Sequence, residues 1–417
     1  MRYRSPECIT QTMRQNYRQN GTAFYFLTDD NFSRNRHWEA IFDGMIRLKE
    51  EEGIPLRFMM QADVQSYRIP GFVEKARRAG CTQAFIGIES VNPQNLQAVG
   101  KNQNSLEDYR RLIDRYRQAE IAVHAGYILG LPFDTPDSLQ RDIRSLMDDI
   151  PVDHVSFFIM TPLPGSQDFE DLRQTGAFLE KDYNQYEYFH ETMTYPGFPE
   201  KGSLVRSCLE AWHQFYSFAH MRKILERTPA SLYWDALRNF IWYKSAVEVD
   251  ERHPMMSGYF RCKSRLEIRP GKKPLSRTAY FRKRTGEILH TLRGYMHLIF
   301  EMQLLWLCTR HRLSLQSAGS GEEAGEVSGD GNSAKEKQYI SAPKPVSLSL
   351  PSCPAETVLE FWASVRHNLR KRRWQHIPWL QLCRRMYCDG RVGVHFAFVC
   401  LRQMGGFLRT FLPGTRF

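Results

Sequence analysis

With 417 residues, 42% apolar, 13% aromatic and 25% charged, the chain has the balance of a folded catalytic domain plus smaller units, which excludes collagenous or wholly disordered character. No run of about 18 uncharged apolar residues occurs; the longest candidate, 295–308, is broken by His297 and Glu301, and no apolar leader follows Met1, so neither a membrane span nor a secretory signal is expected. The net charge of +11 is regional: residues 261–293 and 360–417 each carry eleven Lys/Arg against two acids, leaving −7 elsewhere. Such segments read either as solvated faces or as contacts for a phosphate-rich partner or anionic lipid; nucleic acid is not otherwise indicated. The nine cysteines are scattered singly, which suits a reducing cytoplasm.

The first 177 residues alternate helix and strand. Ser5-Pro6-Glu7 starts a helix with an N-cap and Pro at its first position, and Ile9, Met13 and Tyr17 give it an apolar stripe. Residues 23–28 (AFYFLT) read as a buried strand, Trp38 to Lys49 as a helix, and 56–64 (LRFMMQADV) as the next strand. A helix from Gly71 is stopped by Gly80; 83–90 (QAFIGIES) follows as a strand. Ser105 caps a helix carrying Leu106, Tyr109, Leu112, Ile113 and Tyr116. Residues 122–132 read as a strand, Thr135-Pro136-Asp137 as a helix start, and 154–164 as a fifth strand. This beat predicts parallel βαβ units.

No strand precedes the first helix in this sequence. The strand at 23–28 is therefore expected to be an exposed edge, and the first helix to have an apolar face without a partner. From about 178 to 312 the pattern turns helical. Val205, Cys208, Leu209, Trp212, Phe215, Tyr216 and Ala219 predict one helix; Leu232, Ala236, Leu237, Phe240 and Ile241 another; Ile288, Leu292, Tyr295, Met296 and Ile299 the packed face of a third. Residues 313–354 read as a disordered linker and 355–417 as a basic, aromatic tail that either lies on a membrane or partner surface or is weakly ordered.

In a parallel βα barrel the site gathers at the carboxyl ends of the strands. Those ends here are Thr28-Asp29-Asp30-Asn31, Gln61-Ala62-Asp63, Gly87-Ile88-Glu89-Ser90, residues 126–130 and residues 161–165. Glu89 accepts hydrogen bonds from ligand hydroxyls, balances a cation, or caps the helix after Pro93. One of Asp29 and Asp30 either binds a ligand or satisfies backbone donors in its turn. Gly126 and Gly130 either admit a flat ring or ease packing. Trp212, Phe215, Trp234 and Trp242 either line an apolar pocket or pack, and His253 is either a substrate or metal contact or a structural residue.

The ordered runs RYRSPE, FYFLTDDNFSRN, RFMMQADV, AFIGIES, GYILGLPFDTPDS and TPLPGS together resemble the radical S-adenosylmethionine superfamily, in its cobalamin-binding-domain-containing branch. The resemblance extends over roughly residues 2–310. It implies a partial parallel (βα) barrel lacking its first strand over residues 1–177, followed by a mainly helical region over 178–312. It also implies that Thr28, Asp29 and Asp30 hold the methionine amino group, Glu89 the ribose, and Gly126, Ile128 and Gly130 the adenine. Full-length relatives would use S-adenosylmethionine, a [4Fe-4S] cluster and cobalamin for radical chemistry on a small-molecule substrate, which the sequence leaves unnamed.

The family's Cys-x3-Cys-x2-Cys loop is missing: Cys8 and Cys81 have no neighbour at ligand spacing, and three thiolates must converge to hold such a cluster. No metal-ligand set is assigned. The expectation is a chain that makes no radical by itself: the downstream portion of a longer enzyme, completed by an upstream polypeptide with the cobalamin domain and cysteine loop. The alternative is a cluster-free relative that binds a nucleoside-like ligand or a protein.

Overall fold

A computed structural model describes residues 4–101, 104–257, 265–266, 268 and 273–310. The expected linker at 313–354 and tail at 355–417, with the cysteines in them, lie outside the described residues.

The chain opens with α1 (Pro6–Asn20), β1 (Phe24–Phe26), α2 (Trp38–Glu50), β2 (Arg57–Ala62), α3 (Phe72–Ala79) and β3 (Cys81–Glu89). It continues through α4 (Pro93–Ala98), α5 (Leu106–Gln118), β4 (Ala122–Leu129), α6 (Pro136–Arg144), β5 (His154–Ile159) and α7 (Gln167–Gln174). The five strands pair in parallel in chain order, β1-β2-β3-β4-β5, as a curled half-barrel. The start signals act as the sequence suggests. The Ser5 hydroxyl accepts from the Cys8 N–H at 3.2 Å, Ser105 accepts from the Asp108 N–H, and Thr135 forms a reciprocal capping box with Ser138. Gly80 ends α3 at φ +109, where a Cβ would lie 2.3 Å from the Leu56 carbonyl oxygen; only glycine lets α3 turn back onto the sheet there.

The helices bury the convex face of the sheet. Phe42, Phe58 and Phe72 pack ring against ring between α2, β2 and α3, with all three side chains fully enclosed. Burial of apolar area on this scale is the main term holding the α/β layer together.

Two sequence expectations need correction at the sheet's first strand. β1 is the edge, as expected, but it is three residues long and not buried: Phe24 is 58% and Phe26 50% exposed. With a neighbouring strand on one side only, its side chains lack half the packing surface an interior strand would have. The first helix, in turn, is not left without a partner. Thr10 seats its methyl where α2 has Gly44, a Cβ on which would lie 2.4 Å away; Met13 is buried, and the Tyr25 hydroxyl donates to the Met13 carbonyl at 3.2 Å.

A helical region follows: α8 (Ser203–Phe215), α9 (Phe218–Arg227), α10 (Ala230–Lys244) and α11 (Arg277–Thr309). The single helix expected across 205–219 is broken between α8 and α9. Trp212 and Phe215 of α8 pack edge-on against Phe157 of β5, so both are core residues. In α11 the face expected to pack is rotated: Tyr295 is buried along with Thr291 and Leu298, whereas Leu292 and Met296 are exposed. The described residues up to Leu298 form one compact unit, and those from Ile299 onward belong to a second.

α10 runs beneath the amino-terminal mouth of the half-barrel. Asn239 donates its amide to Gln83 Oε1 at 3.0 Å and reaches His154 Nε2 at 3.2 Å. The Gln83 amide in turn meets His124 Nδ1 at 3.0 Å, and His124 Nε2 meets the Ser156 hydroxyl at 2.9 Å. Burial holds both histidines below their ordinary pKa, His154 at about 4, so the network is a neutral one. A cavity of about 380 Å³ lies at this mouth, lined by Phe24, Arg57, Asp235, Asn239 and Trp242 among others.

Candidate functional site

The opposite, carboxyl mouth carries a recess of about 170 Å³. Asp30 and Asn31 after β1, Gln61 and Asp63 at the end of β2, Phe85, Gly87 and Glu89 of β3, and Lys101 and Asn104 of the α4–α5 connection line it. Pockets that enclose a drug-sized ligand start at about 300 Å³, so this recess fits a sugar-sized fragment of a larger molecule.

Glu89 is its most distinctive residue. The ladder between β3 and β4 slips between Gly87 and Glu89, and Glu89 has φ +66, a left-handed conformation rare for a residue with a side chain. The kink directs the carboxylate back over β3, where a Cβ at Gly87 would stand 2.6 Å from Glu89 Oε1. Burial raises the pKa of Glu89, with Lys101 at 3.9 Å as the opposing influence. Among the described residues no donor lies within hydrogen-bond distance of this carboxylate. It does not cap α4: the Asn92 side chain does, accepting from the Gln94 N–H at 3.0 Å.

The other expected site residues separate. Asp30 lines the recess with an exposed carboxylate, while Asp29 is spent on its own turn, accepting from the Asn31 N–H at 3.2 Å and the Asn35 amide at 3.0 Å. Thr28 is exposed just after β1. Asp63 caps its turn through the Gln65 N–H and holds Arg34 at 3.0 Å. Gly126 leaves room for Phe85, whose Cζ would be 2.6 Å from a Cβ there, so the ring occupies the space beside this strand. Gly130 has φ +89, with Leu204 and Tyr195 where a Cβ would go. Its N–H, like that of Leu131, donates to Asp134 Oδ2, and Asn95 donates to the other oxygen at 2.6 Å. Burial pushes Asp134 up to about 6. Ile128 is half-buried on β4.

Lys101 and Asn104 escaped the sequence reading because they enter from a helix connection rather than a strand end. His253 is fully buried; its Nδ1 accepts from the Met255 N–H at 3.2 Å and its ring lies 4.5 Å from that of Phe158, which makes it a structural residue outside the recess.

The described cysteines up to Leu298 lie apart. Cys8 is exposed on α1; Cys81 is buried at the opposite end of β3 from Glu89, its thiol pushed up to about 12; Cys208 is buried in α8. Among the described residues no three metal-ligating side chains come together, so they do not fit an iron–sulfur cluster.

The radical SAM superfamily model matches residues 1–146. Bacteriochlorophyllide d C-12(1)-methyltransferase of Chlorobaculum tepidum is 25% identical over 56% of this chain and 50% of its own length. Bacteriochlorophyllide d C-8(2)-methyltransferase of the same organism is 27% identical over 41% of the chain and 37% of its own. Anaerobic magnesium-protoporphyrin IX monomethyl ester cyclase of Cereibacter sphaeroides is 25% identical over 55% and 36%. The chain thus spans half or less of the length of these relatives.

Proposed function

We propose that the chain, matched by the radical S-adenosylmethionine superfamily model over residues 1–146, carries at its carboxyl rim the nucleoside-binding half of such an enzyme's site. In this reading Glu89 accepts hydrogen bonds from the ribose hydroxyls of S-adenosylmethionine and Asp30, beside Thr28 and Asp29, faces its amino group. The base would lie toward half-buried Ile128 of β4, because Phe85 fills the space at Gly126 and Leu204 with Tyr195 that at Gly130. The observation that carries the proposal is the carboxylate of Glu89, half-buried on a kinked strand end with no hydrogen-bond donor among the described residues. A buried acceptor of this kind is stabilised by donors that a ligand brings.

The radical chemistry implied by the family, reductive cleavage of S-adenosylmethionine and attack on a small-molecule substrate, is proposed only for a complete assembly. The thiolates for the cluster, and the cobalamin domain, would come from an upstream polypeptide whose strand adds to β1. The 1–177 core would then supply positioning and exclusion of water, in the cytoplasm. No helix among the described residues is long and apolar enough to cross a membrane.

Calorimetric titration with S-adenosylmethionine and with 5′-deoxyadenosine tests the reading. Glu89→Gln keeps the side chain's shape and the strained backbone but removes the charge. A loss of about 1.5–3 kcal/mol, roughly 10- to 150-fold in Kd, is expected for a hydrogen bond to a charged group. Binding that is measurable yet indifferent to Glu89 removes the recess from the site.

A further inference from the structure

α11 has two apolar faces. One is packed: Thr291, Tyr295 and Leu298 are buried, and a Cβ at Gly294 would lie 2.7 Å from the Val249 side chain. The other consists of Phe281 (66% exposed), Leu289 (61%), Leu292 (42%) and Met296 (60%). At about 100° per residue these four fall within one quadrant of the helix, turned away from the packed face, over roughly 22 Å of its length.

The rim of this stripe is cationic. Arg282 and Arg293 project beside it and Lys283 follows; all three are exposed, and none has an acidic partner among the described residues. Glu287, the single acid of the helix before Leu298, lies off the stripe and is held by Arg284 at 2.8 Å.

We propose that residues 277–298 of α11 form a membrane-surface contact: the helix lies in the interface of an anionic bilayer, its apolar stripe among the acyl chains and its exposed cations at the headgroups. Amphipathic helices that bind this way combine Phe or Leu on the buried side with Lys and Arg along the polar border. Sign of charge argues against two other occupants. A second copy paired through the stripe would set Arg282 and Arg293 against their own counterparts, which costs free energy. Residues 360–417 of this chain, with eleven Lys/Arg against two acids, carry the same sign. An anionic surface satisfies both features of the face.

The test is flotation of the full chain with two kinds of vesicle, phosphatidylcholine alone and phosphatidylcholine with phosphatidylglycerol. Binding is expected to the anionic vesicles and to fall with added salt. Each headgroup contact of a cation contributes about a fivefold factor, so Arg282→Ala with Arg293→Ala should weaken partitioning by ten- to thirtyfold. Leu292→Asp with Met296→Asp should abolish it. Both pairs are exposed, and an unchanged thermal midpoint confirms that folding is intact. The proposal is overturned if the chain ignores anionic vesicles. It is overturned equally if both double variants float like the parent, which would assign the lipid contact to another segment. Concentration-dependent self-association that the Leu292→Asp, Met296→Asp pair removes, without vesicle binding, would make the face an interface between copies instead.

Discussion

The carboxylate of Glu89 and the ammonium of Lys101 stand 3.9 Å apart across the carboxyl-rim recess, close enough to attract and too far to hydrogen-bond. Lys101 arrives on the connection after α4, so the two meet only when β3 and that connection are both in place. If the pair is an open clasp around a ligand, Lys101→Met should raise the Glu89 pKa further, because burial then acts without the opposing cation. Carbon-13-labelled glutamate titrated by NMR would read the shift. A Glu89 resonance that titrates at an unchanged pH would show that Lys101 does not sense it.

Gly87 is the second handle on that carboxylate. A methyl group there would fall 2.6 Å from Glu89 Oε1, which is the free end of a side chain and able to swing away. Gly87→Ala should therefore leave the thermal midpoint nearly unchanged while weakening nucleoside binding by about the same factor as Glu89→Gln. The contrasting substitution is Gly126→Ala, which meets the Phe85 ring at 2.6 Å inside the half-barrel. Overpacking of this kind costs about 1–3 kcal/mol. Chemical denaturation of the two variants should separate them: equal losses of stability would contradict the difference in compliance.

Asp134 controls a different part of the rim. It accepts from the N–H groups of Gly130 and Leu131 and from Asn95, and burial lifts its pKa to about 6, from the ordinary 3.8. A carboxyl whose folded pKa is raised favours folding most when protonated. Its contribution is complete below about pH 4, declines as pH rises through about 6, and is flat above. The same direction of shift at Asp142, by burial, acts in the same sense. Asp134→Asn should flatten that decline in stability measured by urea titration between pH 4 and 7. Stability rising over this window for the parent, with no change in the variant, would refute the assignment.

β1 sets the fourth expectation. Its outer backbone edge and the exposed rings of Phe24 and Phe26 form an open template for another strand. Phe26→Lys should reduce concentration-dependent aggregation, seen by light scattering, and also block complementation by a fused upstream strand bearing the cysteine loop. Fusion of that strand to the parent chain should raise the thermal midpoint. An extension that alters neither solubility nor midpoint would show that β1 needs no partner.

The half-barrel was legible because Ser5, Gly80, Ser105 and Thr135 punctuate the chain with local chemistry that the folded molecule uses unchanged. What the sequence concealed depends on contacts between distant segments. The packing of Thr10 into the notch at Gly44 cannot be anticipated from α1 alone, nor can the occupation of the space beside Gly126 by Phe85. α11 shows a further limit: with apolar residues on two faces, periodicity does not say which is packed, and Thr291, Tyr295 and Leu298 are buried while Leu292 and Met296 are exposed. At the rim, Glu89 and Asp30 were readable as strand-end acids, but the engagement of Asp29 with Asn31 and Asn35, and the arrival of Lys101, were not.

The most direct measurement of the central claim is a thermodynamic cycle between Glu89 and the ribose. Parent and Glu89→Gln chains would each be titrated calorimetrically with 5′-deoxyadenosine and with its analogue lacking the 2′- and 3′-hydroxyls. If Glu89 accepts from those hydroxyls, the substitution costs about 1.5–3 kcal/mol with the first ligand and close to nothing with the second. An equal cost with both ligands would place Glu89 away from the ribose and contradict the account.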